Sequence, residues 1–279
     1  MFKFFNLSKK PFLENELIKI IEVSKKEILK LEDDCKLLGY ENFLMKQALE
    51  EYQSVRSKFL ENIIHIHYVS NYLSDLHKLC EKYGTDKGGN PFLQKPYAHR
   101  THNYADYYEM IFQTRRIRKM NVLECGIGTN NLAVESNMGL NGLPGASLRV
   151  WRDYFVNSEI YGIDIDPDIL IFEDRITSFQ VDQTCKESID KFLSSNKDLY
   201  FDIIIDDGLH TFEANESLFK STFPRLTGTG IYVIEDVLTS QIPMYTQLFS
   251  GEPVRMEIIN LEAGNLAIGD NNLVILHKT

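Results

Sequence analysis

The sequence lacks the features that mark membrane proteins and secreted disulfide-bonded proteins. No apolar run approaches the roughly 18 residues of a membrane-spanning helix, and the apolar stretch in Met1–Leu7 is too short for the hydrophobic region of a signal peptide. The four cysteines are widely separated and form no CxxC pair, a pattern typical of unpaired thiols in a reducing compartment. We therefore expect a cytoplasmic protein without a membrane span.

An excess of positive charge is also missing. The 279 residues include 30 Lys and Arg against 40 Asp and Glu, which gives a formal net charge of −10. Such an acidic chain is poorly suited to the phosphate backbone of nucleic acids or to an anionic membrane surface. The apolar fraction of 43% is ample for a hydrophobic core. We expect a globular protein with no nucleic-acid partner.

Glycine is nearly absent from the first part of the chain. Residues 12 to about 80 contain only Gly39 and have a helical pattern. A heptad seam runs through Leu17, Ile21, Ser24, Ile28, Leu31, Cys35 and Leu38. A second helical stretch is predicted from about Asn42 to Cys80. We expect residues 1–80 to form a helical region that serves in oligomerisation or as a lid, and the seam favours a homo-oligomer.

The sequence changes after residue 80, where glycines appear and short apolar segments alternate with helical patterns. The candidate strands are 121–125, 160–164, 177–181, 201–205, 230–234, 255–259 and 272–276. The helical patterns between them include 147–155 and 211–222. This alternation predicts an α/β domain over residues 81–279, with a doubly wound and mainly parallel sheet.

A glycine-containing turn follows the first candidate strand, in Asn121–Gly128. Glycines at positions 126 and 128 allow the backbone to approach a ligand closely. A dinucleotide fingerprint requires a third glycine where this chain has Asn131, which disfavours NAD. An acid two residues before the first glycine, Glu124, instead fits the opening motif of class I S-adenosylmethionine (SAM) methyltransferases. A structural strand-to-helix turn explains the same short segment equally well.

The next two candidate strands also lead to polar side chains. Asp164 ends the second strand, where a carboxylate can accept both hydroxyls of an adenosine ribose, whereas Asp166 before Pro167 fits a turn. The third strand leads to Asp182 and Gln183, a position suited to an adenine edge. A helix cap is an equal explanation for Asp182.

Two further strands stop abruptly on adjacent carboxylates. One segment, Phe201–His210, contains the pair Asp206 and Asp207, and the other, Gly230–Asp236, ends on a Glu-Asp pair. Ligands of open α/β sheets bind outside the carboxyl ends of such strands. Up to four negative charges in one crevice are costly without a cation, and oxygen ligands suit Mg²⁺. The sequence predicts a magnesium site with a histidine beside it.

Simpler explanations exist for some of these side chains. The pair Asp206 and Asp207 fits a strand-end turn that caps a helix at Thr211, and His210 fits a hydrogen-bonded structural histidine. Because side chains alternate along a strand, Asp206 is predicted to be structural rather than a ligand.

Two other segments contain histidines. His65 and His67 have a spacing that suits metal binding on a strand, but in a helix their rings diverge, so we interpret them as surface or core residues. The segment His99–Tyr104 is rich in hydrogen-bonding groups, and either it lines the substrate or methionine end of the pocket or it is a plain loop.

Five motifs occur in an informative order: Tyr83–Gly88, Leu123–Gly128, Gly145–Trp151, Asp206–His210 and Ile231–Asp236. The series resembles the metal-dependent sugar O-methyltransferases of macrolide biosynthesis, of the mycinamicin and demethylmacrocin type, and their relatives among bacterial surface-polysaccharide methyltransferases. The resemblance covers residues 80 to about 240. The paired acidic motifs are its most specific part. Residues 129–144, between the glycine turn and the third motif, depart from the pattern.

The resemblance implies a seven-stranded class I methyltransferase sheet whose last strand is antiparallel. It implies Mg²⁺ ligands at Asp207, Glu235 and Asp236, with His210 as the base. The candidate cofactor-binding residues are Thr85, Glu124, Gly126, Gly128, Asp164, Asp182 and Gln183.

These residues support methyl transfer from the SAM sulfonium to a sugar hydroxyl. Coordination of the hydroxyl by a divalent ion held in part by Asp207 would stabilise an alkoxide and orient a vicinal diol, and His210 would take the proton. We predict a SAM- and Mg²⁺-dependent O-methyltransferase that acts on a sugar or nucleotide-linked sugar, in bacterial surface-polysaccharide or natural-product glycan biosynthesis. Two alternatives stay open: a catechol or other vicinal-diol acceptor, and a SAM-binding oligomeric protein without catalysis.

Overall fold

The structure of the protein is a computed structural model that describes residues 63–65, 71–89, 101–261 and 269–278, with only the backbone of 63–65. These ranges belong to one unit of the chain, Phe59–Thr279. The heptad seam of residues 17–38 and the first part of the His99–Tyr104 segment lie outside the described residues. The oligomerisation and lid interpretations stay predictions.

The described residues contain nine strands in one sheet. Their bounds are β1 Ile63–His65, β2 Asn121–Cys125, β3 Glu159–Asp164, β4 Phe172–Glu173, β5 Ile176–Gln180, β6 Phe201–Asp206, β7 Leu226–Ile234, β8 Val254–Asn260 and β9 Asn272–Lys278. Six α-helices accompany them: α1 Asp75–Tyr83, α2 Tyr104–Phe112, α3 Ala146–Tyr154, α4 Lys186–Ser195, α5 Phe212–Thr222 and α6 Ile242–Phe249.

The strand order is β1-β8-β9-β7-β6-β2-β3-β5-β4. β2 pairs in parallel with β3 on one side and with β6 on the other, and β6 pairs in parallel with β7. β9 is antiparallel to both of its neighbours, β7 and β8. The order reverses at β2, the point where open α/β sheets form a ligand crevice. The prediction of an α/β, Rossmann-like fold with a mainly parallel sheet is confirmed.

Each of the seven predicted strands overlaps an observed strand, but two more strands extend the sheet at its edges. β4 has only two residues and pairs antiparallel with β5. β1 has three residues and pairs in parallel with β8. The predicted count of seven is therefore two short for the described part of the chain. Strands this short carry no periodic pattern that a sequence could reveal.

β1 also corrects the prediction of a continuous helix from about Asn42 to Cys80. Residues 63–65 are extended, and α1 begins at Asp75 and continues past residue 80. A short apolar run fits a helix and a buried strand equally well, and here pairing with β8 decides the conformation. The argument that His65 and His67 do not form a metal-binding pair assumed a helix. It therefore does not hold at His65, which lies in a strand. The division of the chain at residue 80 remains a prediction.

The helices cover both faces of the sheet. One buried apolar cluster combines strand residues with α1, α2 and α3, and contains Trp151 and Phe112. The other combines strand residues with α4, α5 and α6. Ile203, Ile204 and Ile205 in β6 are completely buried, as the continuous apolar run predicts for a strand covered on both faces. Within the described residues, no helix has the length and apolarity to traverse a bilayer.

Candidate active site

A cavity of about 1010 Å³ lies at the carboxyl ends of the central strands. It is lined by Thr85, Gly126, Gly128, Asp164, Asp182, Gln183, Asp207, His210 and Asp236, among others. All of these are candidate site residues from the sequence. Two other candidates, Glu124 and Glu235, are buried and do not line the cavity. The structure therefore brings most of the predicted site together at the crevice beside β2.

The glycine turn after β2 is packed against the acidic loop after β6. Gly126 has a φ of +82°, and a Cβ atom there would lie 2.0 Å from the carbonyl oxygen of Asp207. The Gly126 amide donates to the carbonyl of Ile163. Gly126 is therefore required by close contact between two loops of the site, in addition to any approach of a ligand.

Asp164 at the end of β3 is fixed by backbone hydrogen bonds. Its Oδ2 accepts from the amide of Ile127 at 2.9 Å and its Oδ1 accepts from the amide of Asp166 at 3.0 Å. Burial raises the pKa of the Asp164 carboxyl, and these amides oppose the shift. Asp166 accepts from Thr129 and from the amide of Asp168, which agrees with the interpretation of that residue as part of a turn.

Gln183 connects the end of β5 to the loop after β6. Its Nε2 donates to Asp206 Oδ1 at 2.6 Å, and its Oε1 accepts from the amide of Leu209 at 3.0 Å. Asp182 accepts from the amide and hydroxyl of Thr184. The N-cap of α4 is Cys185, so the helix-cap explanation for Asp182 is wrong: it orders the preceding turn instead.

Asp207, His210 and Asp236 form a group on the cavity wall, which we call the cleft group. One ligand atom of each lies within 4.8 Å of the other two. His210 Nε2 lies 3.6 Å from Asp236 Oδ2. The side chains keep between 17% and 27% of their surface exposed. Two carboxylates and an imidazole at this spacing are a donor set that suits a divalent cation.

His210 and Asp236 both have left-handed backbone conformations, with φ values of +60° and +55°. Residues other than glycine adopt this region at a cost, and such residues concentrate at functional sites. At Asp236 the conformation is stabilised by Tyr104, whose hydroxyl donates to Asp236 Oδ1 at 2.6 Å and accepts from the Asp236 amide at 3.1 Å. The strained turn directs this carboxylate into the cavity.

Asp206 and Glu235 are directed away from the cavity. Asp206 is completely buried and accepts from Gln183 and Asn215, in agreement with the structural role predicted for it. Burial raises the pKa of Asp206 to about 6. Glu235 Oε1 accepts from the hydroxyl of Tyr108 and Oε2 from the ammonium of Lys87, both at 2.5 Å. As a metal ligand, Glu235 would have to share or exchange these partners, and that role stays a prediction.

Lys87 is the main site residue that the sequence reasoning missed. Its Nζ lies 2.5 Å from Asp207 Oδ2, 2.5 Å from Glu235 Oε2 and 3.5 Å from Glu124 Oε1, and its side chain is 2% exposed. We call these four residues the lysine cluster. Lys87 lies inside the Tyr83–Gly88 motif, but a lysine in a glycine-containing segment ordinarily indicates a surface residue.

Each member of the lysine cluster has a pKa that is shifted from its ordinary value. Burial disfavours the ammonium of Lys87, but Asp207, Glu235 and Glu124 outweigh it and hold the pKa of Lys87 well above its ordinary value. Burial raises the pKa of Glu124 to about 7, although Lys87 opposes the shift. Burial likewise raises the pKa values of the Asp207 and Glu235 carboxyls. Lys87 thus lies behind the cleft group, with its charged form favoured by the three carboxyl groups.

A second histidine contacts the cleft group. The amide nitrogen of Asn271 donates to Asn103 Oδ1 and Leu261 O, so Asn271 Oδ1 faces His102 Nδ1 at 3.2 Å. His102 therefore carries a proton on Nδ1 and directs Nε2 towards Asp236 Oδ1, at 3.4 Å. His102 lines the cavity, which favours the pocket-lining interpretation of its segment over a plain loop.

No protein-family model matches the chain. The chain is 32% identical over 171 residues to the 8-demethyl-8-(2-methoxy-alpha-L-rhamnosyl)-tetracenomycin-C 3'-O-methyltransferase of Streptomyces olivaceus, covering 61% of this chain and 39% of that protein. It is 34% identical over 169 residues to the mycinamicin VI 2''-O-methyltransferase of Micromonospora griseorubida, covering 61% of this chain and 37% of that protein. The matched segment spans about two fifths of the length of these curated relatives.

Among solved structures, the MycE methyltransferase from the mycinamycin biosynthetic pathway, in complex with Mg and SAH, is similar to this chain. The TM-score is 0.52 and the identity 25%, over 74% of this chain and 55% of that chain. A second crystal form of MycE with Mg and SAH gives a TM-score of 0.51. The resemblance to the sugar O-methyltransferases of macrolide biosynthesis, first indicated by the motifs, is confirmed by these relatives.

Proposed function

We propose that this protein is a SAM- and Mg²⁺-dependent O-methyltransferase whose acceptor is a sugar hydroxyl. One observation carries the proposal: a single cavity is lined by a SAM-type glycine turn with Asp164 and by the cleft group. Methyl transfer requires the donor and an activated hydroxyl to be adjacent and aligned. Because Gly126 packs directly on Asp207, the two halves of this cavity are neighbours.

The cofactor half fits the adenosyl portion of SAM. Gly128, with a φ of +81°, exposes backbone beside the cavity. Each oxygen of Asp164 accepts one backbone amide and retains a lone pair for a ribose hydroxyl. Thr85 and Asp182 also line the cavity, and we assign them to the same ligand.

The acceptor half fits a divalent ion together with a base. We assign the carboxylates of Asp207 and Asp236 to the ion and the imidazole of His210 to the proton. When bound, Mg²⁺ supplies a Lewis acid that stabilises negative charge on the acceptor oxygen. His210 accepts the hydroxyl proton at Nε2, where the neighbouring Asp236 carboxylate stabilises the resulting imidazolium.

The acceptor is proposed to be a sugar because the remaining groups suit a polyhydroxylated ligand. His102 Nε2 borders the cavity beside Asp236. Asp270 also lines it. One curated relative is named for methylating a rhamnosyl tetracenomycin C and another for methylating mycinamicin VI, and the first name supports the same acceptor class.

The proposal is tested by the requirement for both the ion and Asp236. The full chain is incubated with SAM, Mg²⁺ and a rhamnoside acceptor, and the methylated sugar is measured by mass spectrometry with and without EDTA. We expect turnover only with the ion, and Asp236→Asn to lower it by about 1,000-fold because the ion loses a charged ligand. The free energy of unfolding should change by less than about 1 kcal/mol, since a crowded negative charge is removed.

Asp190→Asn is the matched control. Asp190 is half exposed on α4 and pairs with Lys186, so this variant should methylate at the wild-type rate. Full turnover in EDTA, or an Asp236→Asn variant as active as the control, would contradict the proposed mechanism.

A further inference from the structure

The lysine cluster joins three strand ends through one ammonium group. Glu124 lies in β2, Asp207 follows β6 and Glu235 follows β7. The three carboxylates converge on Lys87 Nζ. Without a cation at this position, three acidic groups would face one another in the interior, an arrangement that buried carboxylates do not tolerate.

The cluster is held rigidly from outside. The Trp151 indole donates to Glu124 Oε2 at 3.1 Å, and the Tyr108 hydroxyl donates to Glu235 Oε1 at 2.5 Å. The Lys87 carbonyl accepts from the amide of Ala105 at 2.9 Å. These contacts fix the ammonium behind Asp207, so Lys87 is not a mobile surface charge that could move away when a ligand binds.

We infer that Lys87 is a positioning residue that holds the Asp207 carboxylate for a divalent ion and weakens the affinity for that ion. Asp207 Oδ2 is bonded to the ammonium, which leaves Oδ1 for the ion in the cavity. The inference rests on the proposed function only in assigning the ion to Asp207 and Asp236.

Two cations that share one carboxylate repel each other. Lys87 therefore stabilises the ion-free site and opposes ion binding, since like charges a few ångströms apart interact strongly in a partly desolvated cleft. Removal of the ammonium should destabilise the ion-free protein and strengthen ion binding. A lysine with a merely structural role would affect stability alone, or would weaken ion binding when it is removed.

The test measures binding of Mn²⁺ alone to the full chain by electron paramagnetic resonance, without SAM or acceptor. Lys87→Met should bind Mn²⁺ about tenfold more tightly than the wild type. Its unfolding temperature without the ion should fall, and the rise on adding Mn²⁺ should exceed that of the wild type. Lys220→Met, which removes an exposed lysine paired with Glu216 on α5, should match the wild type in both measurements.

If Lys87→Met alone does not fold, the same substitution is tested in a second variant, Glu235→Gln. Glu235→Gln removes one buried carboxyl group from the lysine cluster, and adding Lys87→Met to this variant should again tighten Mn²⁺ binding. Unchanged or weaker affinity after loss of Lys87, in whichever background folds, overturns the inference.

Asp236→Asn in the same assay separates the two proposals. If the wild type binds Mn²⁺ and Asp236→Asn does not, the ion site stands whatever Lys87→Met shows. If neither the wild type nor Lys87→Met binds, both proposals fail.

Discussion

Two neighbouring carboxylates at the end of β7 have opposite surroundings. Glu235 is 1% exposed and bonded to Lys87 and Tyr108, whereas Asp236 keeps 17% of its side chain exposed between two imidazoles. The same contrast separates the lysine cluster from the cleft group, with Asp207 shared between them. Residue type therefore does not decide which strand-end acids are available to a ligand. Availability depends on whether the carboxylate faces the cavity, as those of Asp207 and Asp236 do, or is buried among protein partners.

The contrast also indicates different roles for the lysine cluster and the cleft group. The lysine cluster contains its own cation, so its contribution is to structure and to the position of Asp207. The cleft group keeps exposed, strained and incompletely bonded side chains, the features that residues involved in binding and catalysis retain. Variants in the cleft group should therefore affect activity more than stability, and variants behind it should affect stability first.

The strongest test of this contrast is His210→Gln in the cleft group. Glutamine keeps a hydrogen-bonding side chain but cannot take a proton, so kcat should fall by about 100- to 10,000-fold. SAM affinity measured by calorimetry and the unfolding temperature should stay close to wild type, because His210 is assigned no role in binding SAM. A variant that loses stability along with activity would assign His210 to the structural group instead.

Gly126→Ala probes the contact that joins the glycine turn to Asp207. An added Cβ would lie 2.0 Å from the Asp207 carbonyl oxygen, so we expect a loss of about 3 kcal/mol in the free energy of unfolding, measured by urea denaturation. Gly139→Ala is the control, since Gly139 has a similar φ of +72° but no described atom within 4 Å of the added Cβ. It should lose about 1 kcal/mol. Equal losses would mean that backbone strain, not the contact, requires Gly126.

The smallest expected effect concerns Glu124 in the lysine cluster. Its pKa is raised to about 7 in the folded protein from 4.5. The folded state therefore binds more protons than the unfolded state between these two values. Glu124 contributes stability below about pH 4.5, and this contribution is lost as the pH rises through 7. Glu124→Gln should remove about 1–3 kcal/mol of this pH dependence, measured by urea denaturation at about pH 5 and pH 8. Glu187→Gln, at an exposed position of α4, should leave it unchanged. If the free energy of unfolding of Glu124→Gln depended on pH as it does in the wild type, Glu124 would not take up a proton on folding.

The sequence predicted the central part of the fold well. Buried parallel strands are continuous apolar runs, and each of the seven runs that were identified overlaps a strand. The acidic residues that end β6 and β7 were recognised for the same reason, since the carboxyl ends of adjacent parallel strands must meet. The edge strands β1 and β4 were missed, because pairing with a neighbour rather than local pattern determines them.

Two contacts of the site that the sequence did not predict join distant segments. His102 reaches Asp236 across 134 positions of the chain and is oriented by Asn271. Lys87 reaches Glu235 across 148 positions. Neither contact has a local spacing or motif that predicts it. Alternation along a strand indicates that Glu235 and Asp236 face opposite directions, but a single sequence cannot show which of them faces the cavity.

By itself, the sequence determined which strands form the centre of the sheet and which residue types gather at their carboxyl ends, since apolar periodicity and chain connectivity fix both. Only the tertiary structure decided which of those carboxylates contact a buried ammonium and which face the cavity, and Asp207 does both. The reason is that charge compensation in a protein interior is set by distances between segments far apart in the chain, and those distances exist only after folding.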